Sequence, residues 1–229
     1  MKLIGENKST RSILFNMFVA AVSLFVNGFG VYLTIHADIG AGPWDVFTLG
    51  LSNTIGILYG TANICVSFTV IIFDLIMREP IGIAMFVDAL VVGKTVDLFN
   101  WLDIIPKPKN TVDGVFMVVL GLFIIGYTQY TYMRASLGSG PRDTLLVGLK
   151  RRIKKIPIGV VSIILLAVIT TAGYFLGGKV GIGTLIFAFG AGPIMQFAFH
   201  TVHFDATAIK HQNIIESVRI IFGKKAREN

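Results

Sequence analysis

The chain has 229 residues, 54% of them hydrophobic and 14% charged, with a mean hydropathy of +0.74. A soluble domain of this size has no interior large enough to hide so much apolar surface, so the composition predicts a polytopic membrane protein. The net charge is +7, but the basic runs abut long apolar stretches instead of lying on a soluble scaffold, which argues against nucleic acid as a partner.

A bilayer core is crossed by about 20 apolar residues of helix. Six stretches meet that length, at 12–35, 58–77, 81–101, 113–133, 157–177 and 182–203, and none alternates like a barrel strand. The first follows Lys2, Lys8 and Arg11 and is longer than a signal-peptide core, so it reads as an uncleaved helix. The turn GAGPWD (40–45) comes next. The second stretch holds the single cysteine, Cys65, read as a small filler inside a helix. It also holds Asp74, four residues before Arg78, a spacing that predicts an ion pair.

Asp88 lies midway along the third stretch with no cation three or four residues away. An acid at membrane depth is a candidate for solute binding or proton coupling, the alternative being a pairing with Lys94 or a distant cation. Lys94 and Asp97 have the spacing of an internal pair. The fourth stretch ends in Tyr127–Tyr132, which reads as a polar-aromatic belt or as a solute-lining patch. The second turn, GSGPRD (138–143), follows, and then a basic run at 150–155. His200 and His203 close the sixth stretch, with Asp205 and His211 beyond. That spacing is too common to predict a metal site, and no metal or cofactor is expected. Residues 208–222 place Ile214, Ile215, Val218, Ile221 and Phe222 on one helical face, which predicts an amphipathic cytoplasmic tail over 205–229.

The two turns belong to a longer repeat. At an offset of 98, Gly28 falls on Gly126, Tyr32 on Tyr130, Gly40 on Gly138, Gly42 on Gly140, Pro43 on Pro141 and Asp45 on Asp143. After a one-residue slip, Gly60 falls on Gly159, Gly82 on Gly181 and Gly93 on Gly192. Fixed-offset similarity of this kind marks a duplicated unit. The halves are 12–104 and 111–204, with three spans each.

An odd number of spans forces the second half to insert upside down. Charge agrees: Lys2, Lys8, Arg11, Arg78, the Arg134–Lys155 segment and the C-terminal basic residues fall on one side, and only Lys107, Lys109 and Lys179 on the other. The positive-inside rule then places both termini in the cytoplasm. The expected fold is all-α, with six transmembrane helices as two inverted three-helix repeats, each with a short re-entrant or interfacial helix after its GxGPxD turn.

Proline suits the first helical position, glycine allows the tight entry, and an acid in the first turn complements the helix dipole. Asp45 and Asp143 therefore read either as capping charges or, with Gly40, Gly42, Pro43, Gly138, Gly140 and Pro141, as the lining of a site at the repeat interface. The halves differ at Trp44 against Arg142. Trp44 reads as an interfacial anchor or as part of that site. Arg142 reads as one more positive-inside charge or as a cation meeting an anionic headgroup or solute.

The patterns ADIGAGPWDVFTLGLS, ASLGSGPRDTLLVGL and GIGTLIFAFGAGP resemble the YczE/YyaS/YitT family of bacterial integral membrane proteins over roughly 12–205. The resemblance implies a bacterial inner-membrane location and carries no substrate or catalytic residue. No nucleotide-binding loop, nucleophile elbow or metalloprotease motif is present, so no enzyme is expected. The expected function is a small secondary transporter or channel-like carrier of a solute, with its site between the halves. The alternatives are a scaffold or regulator docking a cytoplasmic partner through 150–155 and the tail, or a protein reading lipid headgroups. The bilayer is the constant partner, and a homo-oligomer is left open.

Overall fold

The structure is a computed structural model that describes residues 10–204, together with 214 and 220. All regular structure among them is helical: α1 (Thr10–His36), α2 (Pro43–Ile55), α3 (Tyr59–Ile76), α4 (Ile83–Leu102), α5 (Thr111–Arg134), α6 (Pro141–Arg152), α7 (Ile158–Phe175) and α8 (Ile182–Thr201). Five of these, α1, α3, α5, α7 and α8, are long and apolar enough to cross a membrane. The remaining long helix, α4, has the length but carries Asp88, Lys94 and Asp97. The amphipathic tail lies outside the described residues apart from Ile214, whose N–H donates to Ile81 O (2.8 Å), and Ile220, which packs on the main core.

The turns build the short helices α2 and α6 in the same way. Gly42 (φ −60°, ψ 154°) and Gly140 (φ −65°, ψ 158°) are the N-caps, and Pro43 and Pro141 open the helices. A proline loses nothing there, because the first N–H groups of a helix have no partner within it. Gly40 and Gly138 have φ of 109° and 120°, a region that side chains rarely enter.

The centre is α1 against α5, antiparallel, with Gly30 and Gly121 on each other. A Cβ on Gly30 would stand 3.0 Å from Gly121 O, and one on Gly121 would stand 2.7 Å from Gly30 O. Small residues allow this approach, and close packing substitutes for the hydrophobic effect between helices in lipid. On the other flank of α1, α4 runs parallel to it, with Phe25, Phe29 and Tyr32 gathered on Phe99 at centroid distances of 6.0, 4.7 and 5.6 Å. In turn, α8 packs on α5, α2 on α7 and α6 on α3.

Residues 98 or 99 positions apart make matching contacts. Gly183 N donates to Ile39 O (2.8 Å), and Ala84 N donates to Leu137 O (3.2 Å). Thr54 Oγ1 donates to Leu176 O (2.9 Å), and Arg152 donates to Met77 O (2.9 Å). Gly40 packs on Gly181, and Gly138 on Gly82. One seam breaks the pattern. Gly60 packs on Gly93, and α3 lies along α4, whereas Gly159 and Gly192 both face open space and α7 does not pack along α8. Burial follows: half of the most apolar stretch of α3 is covered, against 11% for α7 and 17% for α8.

Two expectations are corrected here. The Asp74–Arg78 pair does not form. The helix ends at Ile76, and Arg78 has a left-handed backbone (φ 57°), which takes it out of the i,i+4 register. The Asp74 carboxylate is fully buried with neither oxygen hydrogen-bonded. Cys65 is exposed on the outer face of α3 and fills no interior space.

Candidate functional site

The turns enter from opposite ends and bring the first turns of α2 and α6 within reach of one another. Arg142, the second residue of α6, crosses the gap. Its guanidinium donates to Asn63 Oδ1 (2.7 Å), stands 3.7 Å from Asp45 Oδ1 and lies over the Trp44 ring at 5.2 Å. Planar stacking and forked donation suit arginine to all three contacts at once. Asp45 also accepts from the Tyr59 hydroxyl (2.9 Å) and is 3% exposed. Asp45 thus has a protein partner on each side, and neither it nor Asp143 receives a hydrogen bond from the backbone of its own helix.

Trp44 is half-buried beneath Arg142, and Arg142 is engaged with α2 and α3.

On the other side of Arg142 stand Asp88 and Asp143. Both present an oxygen to the backbone of Gly140: a Cβ there would stand 3.4 Å from Asp88 Oδ2 and 3.7 Å from Asp143 Oδ2. Gly140 is therefore the floor between the two acids. Asp88 lies within electrostatic reach of Arg142 and Asp143 and pairs neither with Lys94 nor with any other described cation. Lys94 instead stands 3.9 Å from Asp97, as the spacing predicts. Among the described residues Asp143 takes one hydrogen bond, from the Gln129 amide at 3.5 Å, and it is exposed. Tyr132, near the end of α5, is 3% exposed and within electrostatic reach of Asp88 and Asp143, and its hydroxyl makes no hydrogen bond.

The first turn has a different wall at the corresponding place. A Cβ on Gly42 would meet the ring of Phe187 at 2.9 Å, where Gly140 meets Asp88. The acid is on one side only.

Of the residues singled out from the sequence, Trp44, Asp45, Asp88, Arg142 and Asp143 come together with Gly140. Gly42, Pro43 and Pro141 shape the helix starts, while Gly40 and Gly138 pack on the glycines that open α8 and α4. Sequence reasoning missed Tyr59 and Asn63. Their signal was present: one turn apart at the start of α3, they stand opposite Ile158 and Ser162 of the other half. It missed Asp97 as a fastener too, where it accepts from Gly60 N (2.7 Å) and ties α3 to α4.

The basic run is partly spent within the chain. Arg151 and Arg152 stand 2.8 and 3.9 Å from the buried Glu79 carboxylate. His200 and His203 lie with ring centroids 6.3 Å apart; Asp205 and His211 fall outside the described residues. Among the described residues no group of three His, Cys, Asp or Glu could hold a metal ion.

A family described as a family of unknown function (DUF6198) matches residues 14–200. The uncharacterized membrane protein YczE of Bacillus subtilis is 29% identical over 181 residues, covering 76% of this chain and 81% of that protein. An uncharacterized protein of Haemophilus influenzae is 26% identical over 180 residues, 79% of this chain and 81% of its own. The uncharacterized protein YyaS of Bacillus subtilis is 27% identical over 173 residues, 72% of this chain and 83% of its own. YczE and YyaS are two of the proteins whose family the turns resemble. No solved structure matches.

Proposed function

Because the chain belongs to the DUF6198 family, whose description assigns no activity, we propose a function from the geometry: a small secondary transporter or channel-like carrier, with its solute site between two inverted halves. On this reading α1, α3 and α4 span the membrane in one half, and α5, α7 and α8 span it in the other. Helices α2 and α6 dip inward from opposite faces. The protein lies in the bacterial inner membrane with both termini in the cytoplasm, and it is a carrier and not an enzyme.

The observation that supports this reading is the unmatched seam. In a protein of inverted repeats, one half holds the arrangement that the other half takes in the opposite state, so exchanging the two exposes a single site to either side. The α3–α4 seam, toward the outer face on this topology, is shut by Gly60 on Gly93 and by the Asp97 bond. Its counterpart between α7 and α8, toward the cytoplasm, is open at Gly159 and Gly192. The acids agree, with Asp45 buried and Asp143 exposed. On this reading the chain is a carrier open to the cytoplasm.

The test is a cysteine pair, Gly159→Cys with Gly192→Cys, in a Cys65→Ser background in membranes. If the seam closes as its counterpart does, the two Cβ atoms come within disulfide range, and oxidation gives an intramolecular cross-link that traps the opposite state. Absence of any intramolecular cross-link, or cross-links only between chains, would falsify the exchange. The scaffold alternative is weakened by the engagement of Arg151 and Arg152 with Glu79, and the headgroup alternative by that of Arg142 with Asp45 and Asn63.

A further inference from the structure

We infer that Asp74 and Glu79 are struts between α3 and α6 that hold the chain in the state seen here, open to the cytoplasm. The inference rests on the carrier reading and adds which of its two states is the resting one.

The observation is a pair of equivalent seams, α2 on α7 and α6 on α3, whose ends are tied alike. Asn53 and Thr54 of α2 donate to Gly177 O (3.1 Å) and Leu176 O (2.9 Å). At the equivalent places Arg151 of α6 stands 2.8 Å from Glu79, and Arg152 donates to Met77 O (2.9 Å). Between these ties the seams differ. A Cβ on Gly173 would stand 2.5 Å from Phe47 N, and one on Gly50 would stand 2.5 Å from Gly173 O. One on Gly178 would collide with Val46 O. Helix α7 and the turn after it thus lie backbone to backbone on α2, an approach that only residues without side chains allow.

In the other half Asp74 takes the place of Gly173, and Glu79 that of Gly178. A Cβ on Gly148, the counterpart of Gly50, has side-chain atoms as its nearest neighbours, Glu79 Cγ at 2.9 Å and Met77 Cε at 3.0 Å. Helix α6 therefore stands off α3 by the thickness of side chains and lies along less of it than α2 does of α7. Asp74 is fully buried, and neither of its oxygens is hydrogen-bonded. A buried carboxyl without a partner destabilises the state that holds it. Attraction does not explain this acid, whereas the space it fills does.

The consequence appears on exchange. Helix α3 then leaves α4 and settles on α6 as α7 now settles on α2. The Asp74 side chain would fall on the backbone of Leu145, and that of Glu79 on Thr144 O, by equivalence with Phe47 and Val46. Neither fits without forcing the helices apart, so the exchanged state is overpacked. The present state meets no such obstacle, because α7 and its following turn have glycine at both places. Two states that the repeat would make equal are made unequal by two side chains.

The test uses the full-length protein in membranes, in a Cys65→Ser background, with two cysteine pairs made separately. Gly159→Cys with Gly192→Cys reports closure of α7 on α8. Met77→Cys with Gly148→Cys reports the approach of α6 to α3. Asp74→Gly with Glu79→Gly should speed the oxidation of both pairs about tenfold or more. Asp74→Asn with Glu79→Gln keeps the size and removes the charge, and should leave both rates at the parent's. If the double glycine variant does not fold, Asp74→Gly alone should speed both pairs, with Asp74→Asn unchanged. The inference is overturned by unchanged rates in the glycine variants, or by the Asn and Gln variants acting as glycine does, which would make charge the cause. The two readings fail separately. If the α7–α8 pair forms in the parent and glycine does not speed it, the struts fall and the carrier stands. If glycine speeds only the α3–α6 pair and the α7–α8 pair never forms, the spacing by Asp74 and Glu79 stands and the carrier falls.

Discussion

Arg142 is the residue on which the two short helices meet, and its replacement should show how the buried charges are balanced. Arg142→Gln leaves Asp45, 3% exposed, with only the Tyr59 hydroxyl. Removing one partner of a buried pair is strongly destabilising, about 3 kcal/mol or more, because the remaining charge is stranded. We expect a clear fall in melting temperature in detergent, most of which returns in the double variant Arg142→Gln with Asp45→Asn. If the double variant is as unstable as the single one, Arg142 is not there to balance Asp45. The sequence placed an arginine and an acid at these two turns, but 97 positions separate them. No local pattern says that one reaches the other.

At the scale of elements, two pairs of equivalent glycines make opposite contacts, and that difference can be measured. A Cβ at Gly60 would collide with Gly93 O and the Asp97 carboxylate, so Gly60→Ala must push α3 off α4. Overpacking of this kind typically costs about 1–3 kcal/mol. Gly159 sits in open space within a helix, where alanine is the better helix former by up to about 1 kcal/mol. Gly159→Ala should therefore fold at least as stably as the parent. If the α7–α8 seam must close during transport, the same methyl group blocks it, so the variant should be stable yet lose uptake in vesicles. A stable variant with full uptake would mean that this seam stays open. The helices and their glycine caps were legible from the repeat, because proline and glycine positions constrain the backbone locally. The failed Asp74–Arg78 pair shows the limit: helical spacing predicts a contact only while the helix continues, and α3 stops at Ile76.

For the whole molecule, the proposed topology makes a direct prediction about sides. In a Cys65→Ser background, Lys109→Cys should react with an impermeant thiol reagent added outside intact cells. Lys154→Cys should react only after the membrane is opened. Labelling of both from outside would overturn the positive-inside assignment and the inverted relation that depends on it.

The sequence by itself determined that this is an all-helical membrane protein, where its long apolar helices fall, and that a GxGPxD turn starts each of two short helices. These follow from the length and polarity of local segments, which the bilayer and the backbone read directly. It also singled out Asp45, Asp88, Arg142 and Asp143, because charge in an apolar chain is conspicuous wherever it falls. What only the tertiary structure decided is how those charges are shared. Arg142 goes to Asp45, Asn63 and Trp44, Asp97 fastens α3 to α4, and Asp88 and Asp143 stand together at Gly140. The same holds for the difference between the two seams, since Gly60 and Gly93 have the same sequence standing as Gly159 and Gly192. Identical residues in equivalent places can pack or stand apart, because closing a seam depends on where two whole helices lie, and that is set by every contact each helix makes elsewhere.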